Sequence, residues 1–447
     1  MAADPSHLVF KARFVFPVSG PPIAGGTLVV RGSHIVAVEK SGSSGPVHDL
    51  GNVAILPGLV NAHTHLELGD MPAPLGTPGM PLPDWIRLVV AHRRAAAVAG
   101  PIAIARGLRE SLASGTTTLG DIVQSDWRQP RYFDELPELK RPRDAVSSGE
   151  LPSTILFYES IAPTRDRVEG AIVAAEAFLS APSLHQELRP GLSPHAPYTV
   201  HPRLLAALVE LSRRYQVPLA MHLAESREEL ELLHAGSGPF REMLREVNAW
   251  DPQPDARHGW ILDYLEQLAR APRALVIHGN YLNPVETRFL AAHAATMTVV
   301  YCPRTHAFFR HPPYPLAPML AAGVALALGT DSRASNPDLS LWEEMKFVAQ
   351  WHPELRGSTV LELGTIRGAA ALGLAERLGT LEAGKQADFV VVAFGEDLEG
   401  AKVHDSHDLL WAPSARVVQT WVRGQRAWPA SAGSSESAAE NATTGNS

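Results

Sequence analysis

The chain has 447 residues, of which 45% are hydrophobic and 19% are charged, so burying a large core poses no difficulty. The formal net charge of −8 argues against a nucleic-acid-binding protein, which normally carries a basic face. The single cysteine, Cys302, excludes a disulfide scaffold and a cysteine-rich zinc finger, and it indicates a reducing, cytoplasmic compartment. We find no signal peptide and no uncharged apolar run of about 18 residues, so we expect no membrane span.

The two ends of the chain have the same β-rich texture. Short β-branched runs such as LVFKARFVF and GTLVVRG lie between Gly, Ser and Pro turns in residues 1–56, and similar runs fill residues 379–429. We therefore predict one small composite β-sandwich domain assembled from both ends. Residues 430–447 are rich in Ala, Ser, Gly and Thr without periodicity, and we predict that this tail is disordered.

The centre of the chain, residues 57–378, alternates short apolar runs with amphipathic helical stretches, which is typical of parallel βαβ units. The candidate strands are residues 56–62, 116–122, 154–158, 189–193, 219–223, 274–278, 296–302 and 324–330. This pattern predicts an α/β fold, a (β/α)8 TIM-type barrel that forms the catalytic domain. Residues 129–150 are charged and proline-rich, and we interpret them as an excursion or a mobile lid.

Polar side chains follow four of the predicted barrel strands, at the edge where barrels place their chemistry. His63 and His65 lie in NAHTH, and this spacing puts both side chains on one face of an extended segment. The other candidates, in MHLAES, VIHGN and LGTDS, are His222, Glu225, His278 and Asp331. Imidazole and carboxylate groups together match the ligands of a divalent ion such as zinc.

Each of these residues also has a structural interpretation when it is taken alone. A single histidine after a strand is usually hydrogen-bonded within the core, and an aspartate such as Asp331 commonly caps a helix. The coincidence of such residues at four different strand ends is what favours a metal site.

These motifs resemble those of the amidohydrolase superfamily, in particular its cytosine-deaminase-like and chlorohydrolase-like branch, which includes adenosine-analogue deaminases. The resemblance rests on PGLVNAHTHLE, MHLAES, YCPRTH, LGTDS and LGTLEAGKQADFVVV, and it spans nearly the whole chain. It implies a metal-binding barrel with a composite β-sandwich, and a hydrolase that acts on carbon–nitrogen bonds other than peptide bonds.

The resemblance also implies roles for individual residues. Glu225 matches the proton shuttle, His278 matches the residue that contacts the metal-bound water or the substrate, and His195 in SPHAPYT matches a substrate-contacting histidine. The metal ligands that it implies are His63, His65, His222 and Asp331.

The sequence departs from the family pattern in two places. YCPRTH replaces the Cys-Pro-Ser-Asn of many relatives, which puts the pocket floor in doubt. Binuclear relatives carry a bridging carboxylated lysine on the fourth strand, but the only lysine between His65 and His222 is Lys140, in a polar segment. We therefore expect one divalent ion, for which zinc and ferrous iron both fit the ligands.

Three further residues are candidates for lining the substrate pocket, and each has two interpretations. Trp85 could stack on a flat ring or belong to a helical apolar stripe with Leu88 and Val89. Arg304 and His306 follow the seventh strand and could bind a polar or anionic substrate group, or form structural salt bridges and hydrogen bonds. We expect Cys302 to be buried rather than nucleophilic.

Together with these residues, the resemblance implies a metal-dependent aminohydrolase (deaminase) of an amino-substituted heterocycle such as an adenosine derivative. The alternative is a chlorohydrolase or cyclic amide hydrolase that uses the same water. A non-enzymatic scaffold would have lost ligands, whereas all four are present. We expect a small heterocyclic substrate and no nucleic-acid or membrane partner, and we leave a homo-oligomer open.

Overall fold

The computed structural model describes residues 7–40, 46–95, 100–124, 128, 151–183, 185–251, 259–399 and 405–429. The predicted lid (129–150), Lys140 and the predicted disordered tail (430–447) lie outside these residues. No described helix combines the length and the apolar character that crossing a membrane requires.

The amino-terminal residues form short strands of two sheets. They are β1 (Leu8–Lys11), β2 (Phe14–Val15), β3 (Ile23–Ala24), β4 (Thr27–Arg31), β5 (His34–Glu39), β6 (Val47–Asp49) and β7 (Val53–Pro57). One sheet has four strands in the order β5-β4-β1-β6, and strands β2, β3 and β7 belong to the other.

The centre of the chain forms an eight-stranded parallel sheet whose neighbours follow chain order. Its strands are β8 (Leu59–Thr64), β9 (Thr116–Val123), β10 (Ser153–Ser160), β11 (Leu188–Pro194), β12 (Leu219–Leu223), β13 (Ala274–His278), β14 (Met297–Tyr301) and β15 (Leu326–Leu328). Most of their residues are buried, as expected for parallel strands that are covered on both faces. A parallel bridge between Thr64 and Asp331 joins the segment after β15 to β8, so the sheet closes into a barrel.

The carboxyl-terminal strands complete the second sheet of the small domain. They are β16 (Phe389–Ala393), β17 (Arg416–Val422) and β18 (Gln425–Trp428), and the six-stranded order is β18-β17-β16-β7-β2-β3. β16 pairs antiparallel with β7, which joins the two ends of the chain directly. Phe10 of the four-stranded sheet packs on Phe389 and Trp421 of the six-stranded sheet, with ring centroids 5.1 and 4.9 Å away.

Helices follow the barrel strands and cover the barrel. Within the described residues they are α1 (Leu82–Ala95), α2 (Gly100–Ala113), α3 (Arg165–Ser180), α4 (Pro202–Tyr215), α5 (Arg227–Ala235), α6 (Pro239–Glu246), α7 (Ile261–Leu268), α8 (Pro284–Ala292), α9 (Pro303–Phe308), α10 (Leu316–Ala321), α11 (Leu341–Trp351), α12 (Gly357–Leu363) and α13 (Ile366–Ala371). Single 3-10 turns lie at Leu66–Leu68, Glu396–Leu398 and Ser406–Leu409.

Helix α4 shows how the local sequence sets these elements. It begins with proline at a first-turn position, and the His201 side chain accepts a hydrogen bond from the backbone N–H of Arg203. Leu204, Leu208 and Leu211 recur at helical spacing and are buried. The helix ends at Tyr215 and is capped by Gln216, which adopts a left-handed conformation (φ 54°).

The predicted fold class, a (β/α)8 barrel with a small β domain built from both ends, is confirmed. One strand boundary was wrong: residues 56–62 are not one strand, because the chain leaves the six-stranded sheet after Pro57 and enters the barrel at Leu59. Between them the Gly58 N–H donates to the Asp388 carbonyl, and a Cβ there would collide with the Thr117 side chain. The division of the domains at residues 56 and 379 stays a prediction.

Candidate metal centre and active site

The predicted ligand residues lie at the carboxyl ends of barrel strands. His63 is in β8 and His65 follows that strand, His222 is in β12, and Asp331 follows β15. All four are buried, with at most 7% of each residue exposed. The closed parallel barrel therefore brings residues from three distant parts of the chain to one edge.

The side chains converge on one point. Two groups of three residues have potential ligand atoms within 4.8 Å of one another: His63, His65 and Asp331, and His63, His222 and His278. Asp331 Oδ1 lies 3.7 Å from His63 Nε2 and 3.6 Å from His65 Nε2. His63 belongs to both groups, and the rings of His63, His65 and His222 lie with centroids 4.9–5.5 Å apart.

The hydrogen bonding of these residues fits a bound cation. Both ring nitrogens of His63 and Nδ1 of His65 are buried without a hydrogen-bond partner among the described residues, which is costly unless another group satisfies them. His222 Nδ1 lies 3.0 Å from the His195 carbonyl, which can accept a hydrogen bond from Nδ1–H and leave Nε2 free to coordinate. Asp331 is held by the Ser332 N–H (2.7 Å) and the Ser335 hydroxyl (3.1 Å).

The protonation of the histidines also suits a metal site. Burial, reinforced by neighbouring imidazoles, lowers the pKa of His63 and of His65 well below the usual value for histidine. Burial and the nearby His195 lower the pKa of His222 to about 4. All three imidazoles are therefore neutral at pH 7, and the neutral form is the one that coordinates a metal.

Three residues around this point have a left-handed backbone that is uncommon for residues with a Cβ. They are Ala224 (φ 55°), His278 (φ 70°) and Asp331 (φ 57°). The His278 conformation is fixed in part by Tyr314, whose hydroxyl donates to the His278 carbonyl at 2.9 Å. Backbone conformations of this kind cluster at functional sites, where the surrounding structure holds them in place.

Glu225 lies beside the ligand cluster and is buried. Its Oε1 is 3.4 Å from His278 Nε2. Burial raises the pKa of the Glu225 carboxyl well above its usual range, and the nearby Asp331 and Glu229 carboxylates raise it further. A carboxyl group in such surroundings can hold a proton near neutral pH and transfer it.

A cavity of about 500 Å³ opens over the cluster, within the size range of small-molecule sites. Part of its wall is apolar, and Trp85 lines it as well. The Trp85 indole N–H donates to the Ala334 carbonyl at 3.0 Å, and its ring packs edge-on against Phe309. The titratable residues on the cavity wall include His65, His195, His222, Glu225, His278, Asp331 and Glu159.

His195 reaches the cavity from the turn after β11. Its Nδ1 is 2.6 Å from the Thr199 hydroxyl, which itself donates to the Ala196 carbonyl, so His195 Nδ1 is the donor. Burial lowers the pKa of His195, although the Glu159 carboxylate opposes this. The neutral ring therefore presents the lone pair of Nε2 towards the cavity.

Arg304 and His306 do not line this cavity. Arg304 forms partly buried ion pairs with Asp338 (2.5 Å) and Glu344 (2.7 Å), so the structure favours the salt-bridge interpretation over substrate binding. His306 is buried against Tyr301 with ring centroids 5.7 Å apart. We therefore leave both residues out of the proposed substrate site.

A model of the Amidohydrolase family matches residues 54–427, most of the chain. The chain belongs to the amidohydrolase family. The predicted enzyme class, a hydrolase of carbon–nitrogen bonds, is confirmed by this membership and by the relatives.

Among curated proteins, the chain is similar to an aminodeoxyfutalosine deaminase of Deinococcus radiodurans, with 32% identity covering 71% of this chain and 73% of the relative. It is also similar to a 5-methylthioadenosine/S-adenosylhomocysteine deaminase of Desulforudis audaxviator, with 29% identity covering 86% and 84%. The structure of Helicobacter pylori aminofutalosine deaminase with methylthio-coformycin has the same fold, with a TM-score of 0.79, 20% identity and coverage of 94% and 99%.

In this amidohydrolase the loop that carries Glu225 is held by a residue that the sequence analysis missed. The buried carboxylate of Glu229 accepts the backbone N–H groups of Ala224 (3.0 Å) and Glu225 (2.7 Å). A sequence signal was present, because Ser226 and Glu229 form the S-x-x-E pattern of a helix start. In that pattern the glutamate usually returns to the capping residue, whereas here it reaches further back.

We expect His65→Ala to lose most of its metal, because it removes one imidazole from the cluster. Elemental analysis of the purified protein gives the metal-to-protein ratio. The exposed His34→Ala variant is the control and should keep the wild-type ratio. An unchanged ratio in His65→Ala would remove this residue from the site.

We expect Glu229→Gln to lower kcat by about 10- to 100-fold. The variant loses the carboxylate that holds the loop, so Glu225 moves out of position for proton transfer to the substrate. The metal-to-protein ratio and KM should change little. Glu228→Gln is the matched control, since its side chain neighbours Glu229 in sequence but is not buried in this loop. Glu228→Gln should keep the wild-type kcat. If Glu229→Gln kept it as well, the loop would not need the Glu229 carboxylate.

Proposed function

We propose that this protein is a metal-dependent deaminase that removes the amino group of an adenosine-type nucleoside by hydrolysis. The observation that carries the proposal is the convergence of His63, His65, His222 and Asp331 beside the buried Glu225 at one cavity. The deaminase names of the relatives support the choice of an amino leaving group.

The residues that would hold the metal ion are His63, His65, His222 and Asp331. Their nitrogen and oxygen donors suit zinc, which we propose as the native ion, and ferrous iron is the alternative. A divalent ion held here would supply hydroxide at neutral pH, because a bound cation lowers the pKa of water from about 16 towards 7.

The side chains of the chain provide the proton transfers. Asp331, whose carboxylate is fixed by Ser332 and Ser335, is placed to accept the proton of the attacking water. Glu225 gives a proton to the ring nitrogen beside the attacked carbon, which eases the loss of aromaticity. His278, 3.4 Å from Glu225, orients the water and polarises the attacked centre.

The reaction ends when the bond between the ring carbon and the amino group breaks. Glu225, which has given up its own proton, takes the proton of the added hydroxyl, and Asp331 or Glu225 donates the last proton to the departing nitrogen, so ammonia leaves and a ring carbonyl forms. No protein nucleophile is needed. Cys302 is buried, and burial raises the pKa of its thiol well above the usual value, so it is not a thiolate at neutral pH.

The direct test is ammonia release from a panel of adenosine, 5-methylthioadenosine, S-adenosylhomocysteine and aminodeoxyfutalosine. We expect metal-dependent ammonia release from at least one of them. Chloride release from a chlorinated heterocycle, or opening of a cyclic amide, without any ammonia release would support the alternative leaving group instead.

We expect Glu225→Gln to lower kcat by at least about 100-fold, the lower end of what general acid–base catalysis contributes. The variant should keep its metal, because Glu225 is not a ligand in the proposed site. Steady-state kinetics and elemental analysis on the same preparation test both parts. A kcat within tenfold of wild type would show that Glu225 is not the proton shuttle.

A further inference from the structure

The cavity contains a second buried carboxylate that the proposed mechanism does not use. Glu159 lies in β10, near its carboxyl end, and lines the cavity. Only 1% of its side chain is exposed. The sequence analysis did not single it out, because its neighbours LFYES carry no recognisable motif.

The two oxygens of Glu159 have different surroundings. Oε2 accepts a hydrogen bond from the Gln124 amide at 2.6 Å and lies 3.6 Å from an Arg93 guanidinium nitrogen. Oε1 accepts no hydrogen bond from the described residues, and it lies 3.8 Å from His195 Nε2. The contacts on Oε2 therefore fix the carboxylate and leave Oε1 open.

Glu159 is ionised at neutral pH. Burial alone would raise the pKa of its carboxyl, but the attraction of His195 and Arg93 and the Gln124 hydrogen bond bring it down to about 2. An ionised oxygen on the cavity wall without a donor from the described residues can accept a hydrogen bond from an incoming group.

His195 places a second polar atom beside Glu159. Its Nδ1 bonds to the Thr199 hydroxyl, which fixes the ring so that Nε2 lies 3.8 Å from Glu159 Oε1. The two polar atoms thus face each other across a gap that is too wide for a direct hydrogen bond. A hydroxyl group in this gap can donate to Glu159 Oε1 and bond to His195 Nε2 as well.

We propose that Glu159 and His195 together bind sugar hydroxyls of the substrate, so that Glu159 determines specificity for ribosylated heterocycles. This inference rests on the proposed nucleoside deaminase. The charges favour neutral hydroxyl donors over an ammonium group, because Arg93, Arg94 and Arg167 also line the cavity and would repel a cation.

The test compares Glu159→Gln with wild type on adenosine, 2′-deoxyadenosine and 3′-deoxyadenosine. We expect wild type to lose kcat/KM on at least one deoxy analogue. Glu159→Gln should lose about 10- to 100-fold on adenosine, the range for a hydrogen bond to a charged group, and far less on that analogue. Its metal-to-protein ratio should equal that of wild type.

The matched control is Glu246→Gln, which removes an exposed carboxylate that pairs with Arg87 at the cavity wall. This variant should keep the wild-type ratio of kcat/KM between adenosine and the deoxy analogues. An equal loss on all three nucleosides in Glu159→Gln would overturn the proposal, because it would mean that Glu159 serves only to support the site.

Binding of the same nucleosides by isothermal titration calorimetry, in the slow Glu225→Gln background, separates this inference from the deaminase proposal. Hydroxyl-dependent binding without ammonia release by wild type would refute the deaminase and keep the hydroxyl subsite. Ammonia release with hydroxyl-independent binding would refute the subsite alone. If no nucleoside binds, both proposals fail.

Discussion

The site depends on how the barrel closes. At the seam between its first and last strands, the backbone N–H groups of Thr330 and Asp331 donate to the His63 carbonyl at 3.0 and 3.1 Å, and the Thr64 hydroxyl donates to the Asp331 carbonyl. These contacts hold Asp331, which follows the last barrel strand, against the His-x-His segment of the first barrel strand. Barrel closure therefore positions the backbone of Asp331, and the nearby Ser332 and Ser335 hold its side chain.

Closure also explains why the site is buried and polar at once. Packing around the strand ends buries the imidazoles of His63 and His65, which keeps them neutral and leaves both ring nitrogens of His63 and Nδ1 of His65 without a hydrogen bond from the described residues. Buried ring nitrogens without hydrogen bonds cost free energy, and a divalent cation that they coordinate removes this cost. The same dry surroundings favour the protonated form of Glu225, which suits its proposed role.

Much of this arrangement could be predicted from the sequence. Parallel strands alternating with helices determine the fold class, and they also determine which edge of the barrel collects the residues at strand ends. His63, His222 and Asp331 could be chosen because each follows an apolar run of strand length. The passage from the small domain to the barrel at Gly58 was missed, because only Pro57 and Gly58 separate the apolar residues of two consecutive buried strands.

The remaining features depend on contacts that the sequence does not display. The interpretation of Arg304 was left open because its partners, Asp338 and Glu344, lie on a later segment and meet it only in the folded chain. The open oxygen of Glu159 likewise follows from where Gln124 and His195 happen to lie. The contacts of the folded chain distinguish Arg304, whose charge is paired within the protein, from Glu159, whose Oε1 is available to a ligand.

The most direct test of the central claim is a pair of anomalous-difference maps, collected at the zinc and iron absorption edges from crystals of the full-length protein. We predict one peak per chain, about 2.0–2.2 Å from a nitrogen of His63, His65 and His222 and from an oxygen of Asp331. A metal-loaded protein with no peak at these residues, or with its peak elsewhere, would contradict the account.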